Sequence, residues 1–382
     1  MGGLIAMAVA MGIGRFVYTP ILPFMAESLP LTKAEAGLIA SANYLGYLLG
    51  ALVAATSWIR GSRRFWFMAG LVASAATTLL TAAPSSVFLL SAVRLLGGVA
   101  SAFVLVFASS LVLERLASSG RSGLASVHFG GIGVGIALSA ALVATLAAAG
   151  YGWRAQWIGS GCAALLAIPG VAALVPPDRS AAGPAVRSAP VIVTRRLLAL
   201  VAAYGLFGFG YVITATFLIA IVRGSPEIRH LESAAWILVG LAGLPSVAFW
   251  SALGRRLGVF TAFALACLVE AVGVLASVLT ASVAGLAVAA TFLGGTFVGI
   301  TALGLFGART LSASDPRRVL ALMTVAFGLG QIVGPIFAGA VVDRTGSFLL
   351  PSLCAAAALA VAAGLSWSLD LRSATAGAKP GR

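Results

Sequence analysis

The chain has 382 residues, of which 60% are apolar and only 9% charged, and its mean hydropathy is +1.08. A soluble domain carries about 25% charged residues, so a water-soluble globular protein is excluded. The net charge of +14 would suit a nucleic-acid binder, but the arginines fall in short gaps between apolar stretches, and no nucleic-acid partner is predicted.

Stretches long enough to cross a bilayer core of roughly 30 Å predict an all-α membrane protein with twelve transmembrane helices. The first, about 3–26, opens MGGLIAMAVAMGIGRF without a basic leader and is read as a helix and not a cleaved signal. It carries Arg15 in mid-span. At helical spacing Arg15, Tyr18, Thr19 and Leu22 share a face, and Pro20 and Pro23 each free a backbone carbonyl. A charge inside a span costs at least ~2.5–3.5 kcal/mol unless it meets a partner or a wet cavity. Arg15 is therefore read as a fork for a carboxylate or phosphate; the alternative is an arginine bonded to carbonyls of neighbouring helices.

The second helix, about 35–58, offers Asn43 and Tyr47 to a central cavity. The third, about 65–83, follows Arg60, Arg63 and Arg64, which anchor topology. The fourth, about 86–113, holds Arg94, and the fifth, about 122–149, holds His128 before a glycine-rich face. Imidazole titrates near neutral pH, so His128 is a candidate for proton coupling, against a role as a hydrogen-bonded packing residue. The sixth helix covers about 154–175, and none of the first six spans contains a mid-span Asp or Glu.

Residues 176–196 mix Pro, Ser, Gly and Arg and read as a polar linker between a bundle at 1–175 and a second at 197–369. The second bundle's helices fall at about 197–222, 233–253, 259–280, 283–308, 319–342 and 347–369, before a polar tail at 370–382. Tyr204, Tyr211, Thr296 and Gln331 are its neutral cavity candidates, and Gln331 precedes Gly334-Pro335, where a broken helix would expose backbone groups. Glu270, in the ninth helix, is read as a hydrogen-bonded structural group or a proton carrier. Cys162, Cys267 and Cys354 lie within apolar spans and read as packing residues, with no disulfide and no metal. Glycines such as Gly46, Gly97 and Gly98 permit close helix contact.

With the N-terminus inside, seventeen Lys and Arg fall in the inner loops, linker and tail, against five outside, Lys33, Arg154, Arg223, Arg229 and Arg344. That bias places both termini and the linker in the cytoplasm. The halves also read as parallel copies. Arg94-Leu95-Leu96-Gly97-Gly98 aligns with Thr291-Phe292-Leu293-Gly294-Gly295, Phe129-Gly130 with Phe327-Gly328, and the Arg60–Arg64 loop with Arg255-Arg256. Two parallel six-helix repeats put a solute site between the halves near the midplane.

On GIGRFVYTPILP, FLGGTFVGITAL, FGLGQIVGPIFAGAVVD and the Gly-Trp-Arg at 152–154, the chain resembles the major facilitator superfamily over nearly its whole length, and more narrowly its YbfB/YjiJ-type branch. The resemblance implies alternating access, and it matches Arg94 to the superfamily's helix-4 arginine, with a role in solute binding or proton coupling. It also implies a gating role for the Arg60–Arg64 loop, although Trp58 stands where that loop has an acid. The fifth helix lacks the Gly-Pro pair of drug antiporters.

The expected function is secondary transport of a small solute, an organic anion, coupled to protons, by a monomer in the cytoplasmic membrane of a bacterium. The alternatives are a proton-driven efflux pump for amphipathic compounds and a transporter-like sensor or scaffold. An enzyme is not expected, because the two histidines, His128 and His230, form no metal or nucleophile constellation, and no nucleotide motif or cofactor site appears.

Overall fold

The computed structural model describes residues 1–56, 59–175, 194–311 and 316–377, and all regular structure among them is helical. Twelve membrane-type helices follow in order. They are α1 (Gly2–Ser28), α2 (Lys33–Ala54), α3 (Arg63–Leu80), α4 (Val87–Ser118), α5 (Ala125–Ala148) and α6 (Trp153–Leu174), then α7 (Arg195–Arg223), α8 (Glu232–Leu257), α9 (Val259–Leu279), α10 (Val283–Leu311), α11 (Pro316–Thr345) and α12 (Leu349–Gly377). Eleven are long and apolar enough to cross a bilayer; α3, only 18 residues long and starting on two arginines, falls short.

The helix starts are written locally. Thr32, Ser62, Ser86 and Thr194 each accept the backbone N–H three residues on, and Glu35 completes a capping box with Thr32. Gly258, with φ +92°, makes the sharp turn from α8 to α9, where a side chain would be strained.

Three boundaries differ from expectation. The second helix stops at Ala54, and Trp58 lies outside the described residues. The expected linker lies outside them as well, except that Thr194 caps α7 and Arg195 and Arg196 belong to it. Asp370 does not begin a tail: α12 runs on to Gly377, and the Asp370 carboxylate accepts the backbone N–H and hydroxyl of Thr261 at 2.8 and 2.7 Å, capping α9.

The ends of the bundle can be named without reference to a membrane. The linker end is where α1 and α7 begin; the far end is where they finish. Within the first half, α2 packs on α4 and α3 on α4 and α6; within the second, α10 packs on α8 and α9, and α12 on α7 and α9. The halves meet along α2–α11, α5–α8 and α1–α7. Glycine is what brings them close. A Cβ at Gly37 would collide with the carbonyl oxygen of Pro335, and one at Gly240 with the backbone of Ala137.

Candidate functional site

α1 is not one regular helix. Ala8–Ile13 is a π-helical turn, and residues 14–17 are irregular before Tyr18 restarts the α-helix. The expected shared face of Arg15, Tyr18, Thr19 and Leu22 is lost, because the 3.6-residue phase does not survive this segment. Tyr18 turns back to α2, its hydroxyl donating to Ala36 O at 2.8 Å, while Thr19 reaches α7 and donates to Ala215 O at 2.7 Å.

The irregular turn leaves carbonyls that a helix would have used, and Arg94 takes them. Its guanidinium, 3% exposed, donates to Gly14 O at 2.8 Å and to Arg15 O at 2.9 Å, close to the rings of Tyr18 and Trp157. Asn43 in turn donates its amide to Arg94 O at 2.8 Å. Arg94, Tyr18 and Asn43 thus form a brace inside the first half, behind the segment that carries Arg15.

Arg15 faces the other way, into the seam between the halves. It is 4% exposed, and one terminal nitrogen donates to Gln331 Oε1 of α11 at 2.9 Å. The guanidinium carbon lies 4.2 Å from the ring centre of Tyr47, 4.8 Å from Tyr44 and 5.6 Å from Phe16. Desolvated cation–π contacts of this kind contribute about 2 kcal/mol. Its Nε has no partner among the described residues, and no carboxylate among them pairs with it. Gln331 passes the chain onward, its amide donating to the Tyr211 hydroxyl of α7. α11 stays continuous through Pro335, so the break expected after Gln331 does not occur.

Behind Tyr211 stands a column of rings. Tyr211 is nearly parallel to Phe327 and Phe297, with interplanar angles of 2° and 7° and centroid separations of 5.7 and 5.9 Å. Tyr204 stacks on Phe327 at 5.0 Å, its hydroxyl reaching Thr301 O at 3.3 Å. Phe16 meets Phe297 edge-on at 5.6 Å, which joins the column to the first half. Here lies a void of about 10 Å³, walled on both sides of the seam by Phe16, Ile136, Tyr211, Trp236 and Phe297.

Glu270 of α9 is completely buried. The Thr296 hydroxyl stands beside its carboxylate but directs its proton to Phe292 O, 2.5 Å away, leaving both carboxylate oxygens without a well-directed donor among the described residues. His128 sits apart at the linker end, its Nε2 3.1 Å from Ser109 Oγ and its ring against Gly3.

The basic residues around the start of α3 bind inside the first half. Arg63 pairs with Glu114 of α4 at 2.8 Å, and Arg64 donates to the carbonyls of Ala172 and Val175 at the end of α6. Arg60 contributes its carbonyl to the Trp66 indole. Reciprocally, Arg154 at the start of α6 donates to the carbonyls of Ala82 and Ala83 beyond the end of α3.

At the far end the halves are latched. Asp343 of α11 accepts the backbone N–H groups of Lys33 and Ala34, at 2.8 and 2.9 Å, at the start of α2. Arg223 of α7 pairs with Glu27 of α1 at 2.8 Å and with Glu232 at 2.6 Å. Beside this latch is a cavity of about 280 Å³ lined by Leu22, Ala36, Phe217 and Arg223, among others. The sequence reading missed this latch, Tyr44 and the phenylalanines of the column. Tyr44 had a signal, lying three residues before Tyr47; the latch joins residues of the two halves 196 to 310 positions apart and had none.

The family model described as "Uncharacterised MFS-type transporter YbfB" matches residues 7–367. No curated protein matches the chain by sequence. Among solved structures, a point mutant of the nucleoside transporter NupG superposes with a TM-score of 0.76 at 15% identity, covering 96% of this chain and 98% of that one. At that identity the likeness is one of fold.

Proposed function

The chain belongs to the family of YbfB-type MFS transporters, a non-enzymatic multi-pass membrane transporter, and from that premise we propose that it carries an organic anion by alternating access. The observation that carries this reading is Arg15, a buried guanidinium in the seam between the halves, with an unpartnered Nε and no acid to balance it among the described residues. A carboxylate entering there would gain charge-assisted bonds of about 1.5–3 kcal/mol each. Gln331 and Tyr47 would flank the bound group, and Arg94 would hold Arg15 in place. The nucleoside transported by the structural relative is the competing solute class, since Gln331, Tyr211 and the aromatic column would also suit a neutral planar base.

We assign the far end to the outside, following the basic bias of the loops, so that the conformation described is closed outward by Asp343 and the Arg223 pairs. Protons are the proposed coupling ion, with Glu270 as carrier ahead of His128. Glu270 stands beside Thr296 with both carboxylate oxygens lacking a well-directed donor among the described residues, whereas His128 meets Ser109 at the linker end, apart from Arg15 and Gln331. Efflux of amphipathic compounds is the alternative direction and cargo.

The test is solute binding to purified, monodisperse protein. Arg15→Ala should weaken an organic anion about 10–100-fold, and Arg15→Lys should also be impaired, because it keeps the charge but loses the fork. Unchanged affinity in Arg15→Ala would remove the anion.

A further inference from the structure

We propose that the solute is a planar aromatic carboxylate, whose ring joins the aromatic column while its carboxylate meets Arg15. This deepens, and rests on, the reading of Arg15 as the anion's partner. Three observations carry it. First, Tyr211 lies within 2° of Phe327 and 7° of Phe297, and Tyr204 extends the set at 27° to Phe327, so the rings beside the seam share nearly one orientation. Parallel-displaced rings at such separations attract, and a further flat ring lengthens the stack at little conformational cost.

Second, the void of about 10 Å³ lies against Tyr211 and Phe297 of this stack and in the seam itself, with Phe16 and Ile136 from the first half and Tyr211, Trp236 and Phe297 from the second among its walls. It holds no more than one water and must widen when the halves part. Its walls, four of them aromatic, define what can enter. Third, the cation is coupled to the same rings. Phe16 is the chain neighbour of Arg15 and lies against its guanidinium, and Gln331 bonds both Arg15 and Tyr211. A ring in the widened void and a charge at Arg15 are therefore addressed by one continuous surface.

The experiment compares benzoate with cyclohexanecarboxylate, which has the same charge and nearly the same size but no flat face, and with uridine as a neutral planar solute. Binding of each to the full-length protein is measured by calorimetry. Benzoate should bind about tenfold tighter than cyclohexanecarboxylate. Phe297→Leu, which removes an aromatic wall of the void, should erase that ratio by weakening benzoate alone, and unchanged binding of cyclohexanecarboxylate to the same variant should show that the seam still folds. Arg15→Gln should weaken both acids together. Equal binding of the two acids overturns the aromatic proposal and leaves the anion intact. Binding of uridine with neither acid overturns both, and so does binding of none of the three.

Discussion

Replacing Asp343 by Asn should open the far end. The carboxylate accepts two backbone N–H groups at the N-terminus of α2, from Lys33 at 2.8 Å and Ala34 at 2.9 Å, and does so across the seam. An Asn side chain has one acceptor oxygen and no charge. One charge-assisted bond is lost, about 1.5–3 kcal/mol with the carboxylate's interaction with the helix N-terminus included. The side chain and the geometry otherwise persist, so the fold of each half should be unaffected. A loss of that size shifts the ratio of open to closed conformers about 10–100-fold. Ala36, 2% exposed and part of the cavity beside the latch, is a suitable reporter. In a background without Cys162, Cys267 and Cys354, Ala36→Cys should react with a membrane-impermeant maleimide about 10–100 times faster when Asp343 is Asn. An unchanged rate in well-folded protein would mean that Asp343 does not hold the far end shut.

Arg94→Ala should lower thermal stability, because the carbonyls of Gly14 and Arg15 are left buried and unpaired at about 1–3 kcal/mol each; a melting temperature equal to that of the parent would show that α1 needs no brace. Glu270→Gln should preserve solute exchange in proteoliposomes while abolishing accumulation driven by an imposed pH gradient, and full accumulation would take the coupling role away from Glu270. A cysteine placed at Ser188 should resist external labelling in intact cells, and its reaction there would reverse the proposed orientation.

Most of the fold was legible because lipid imposes a coarse rule: apolar stretches of sufficient length must be helices, and their order and loop charges carry topology. α3 shows the limit. It reads in sequence as one more apolar stretch, at about 65–83, yet it starts on two arginines and in length and polarity is the least membrane-like of the twelve. Arg15 was legible because a lone guanidinium in an apolar span needs a reason. What periodicity could not show is the direction that each residue of α1 takes after the π turn. Arg15 and Arg94 read alike in sequence, yet one faces Gln331 across the seam and the other holds the backbone from behind. The aromatic column was illegible because single phenylalanines in membrane helices are ordinary, and only assembly makes Phe297, Tyr211 and Phe327 parallel.

The reciprocal strap between α3 and α6 bears on how the protein is made. α3 is synthesised before α6, and until Arg154 arrives the carbonyls of Ala82 and Ala83 lack the donor they have in the finished bundle. In the same interval the Ala172 and Val175 carbonyls that hold Arg64 do not yet exist. The bonds that fasten both ends of the shortest span are therefore made only once the sixth has been synthesised, and α3 and α6 complete one another as a pair.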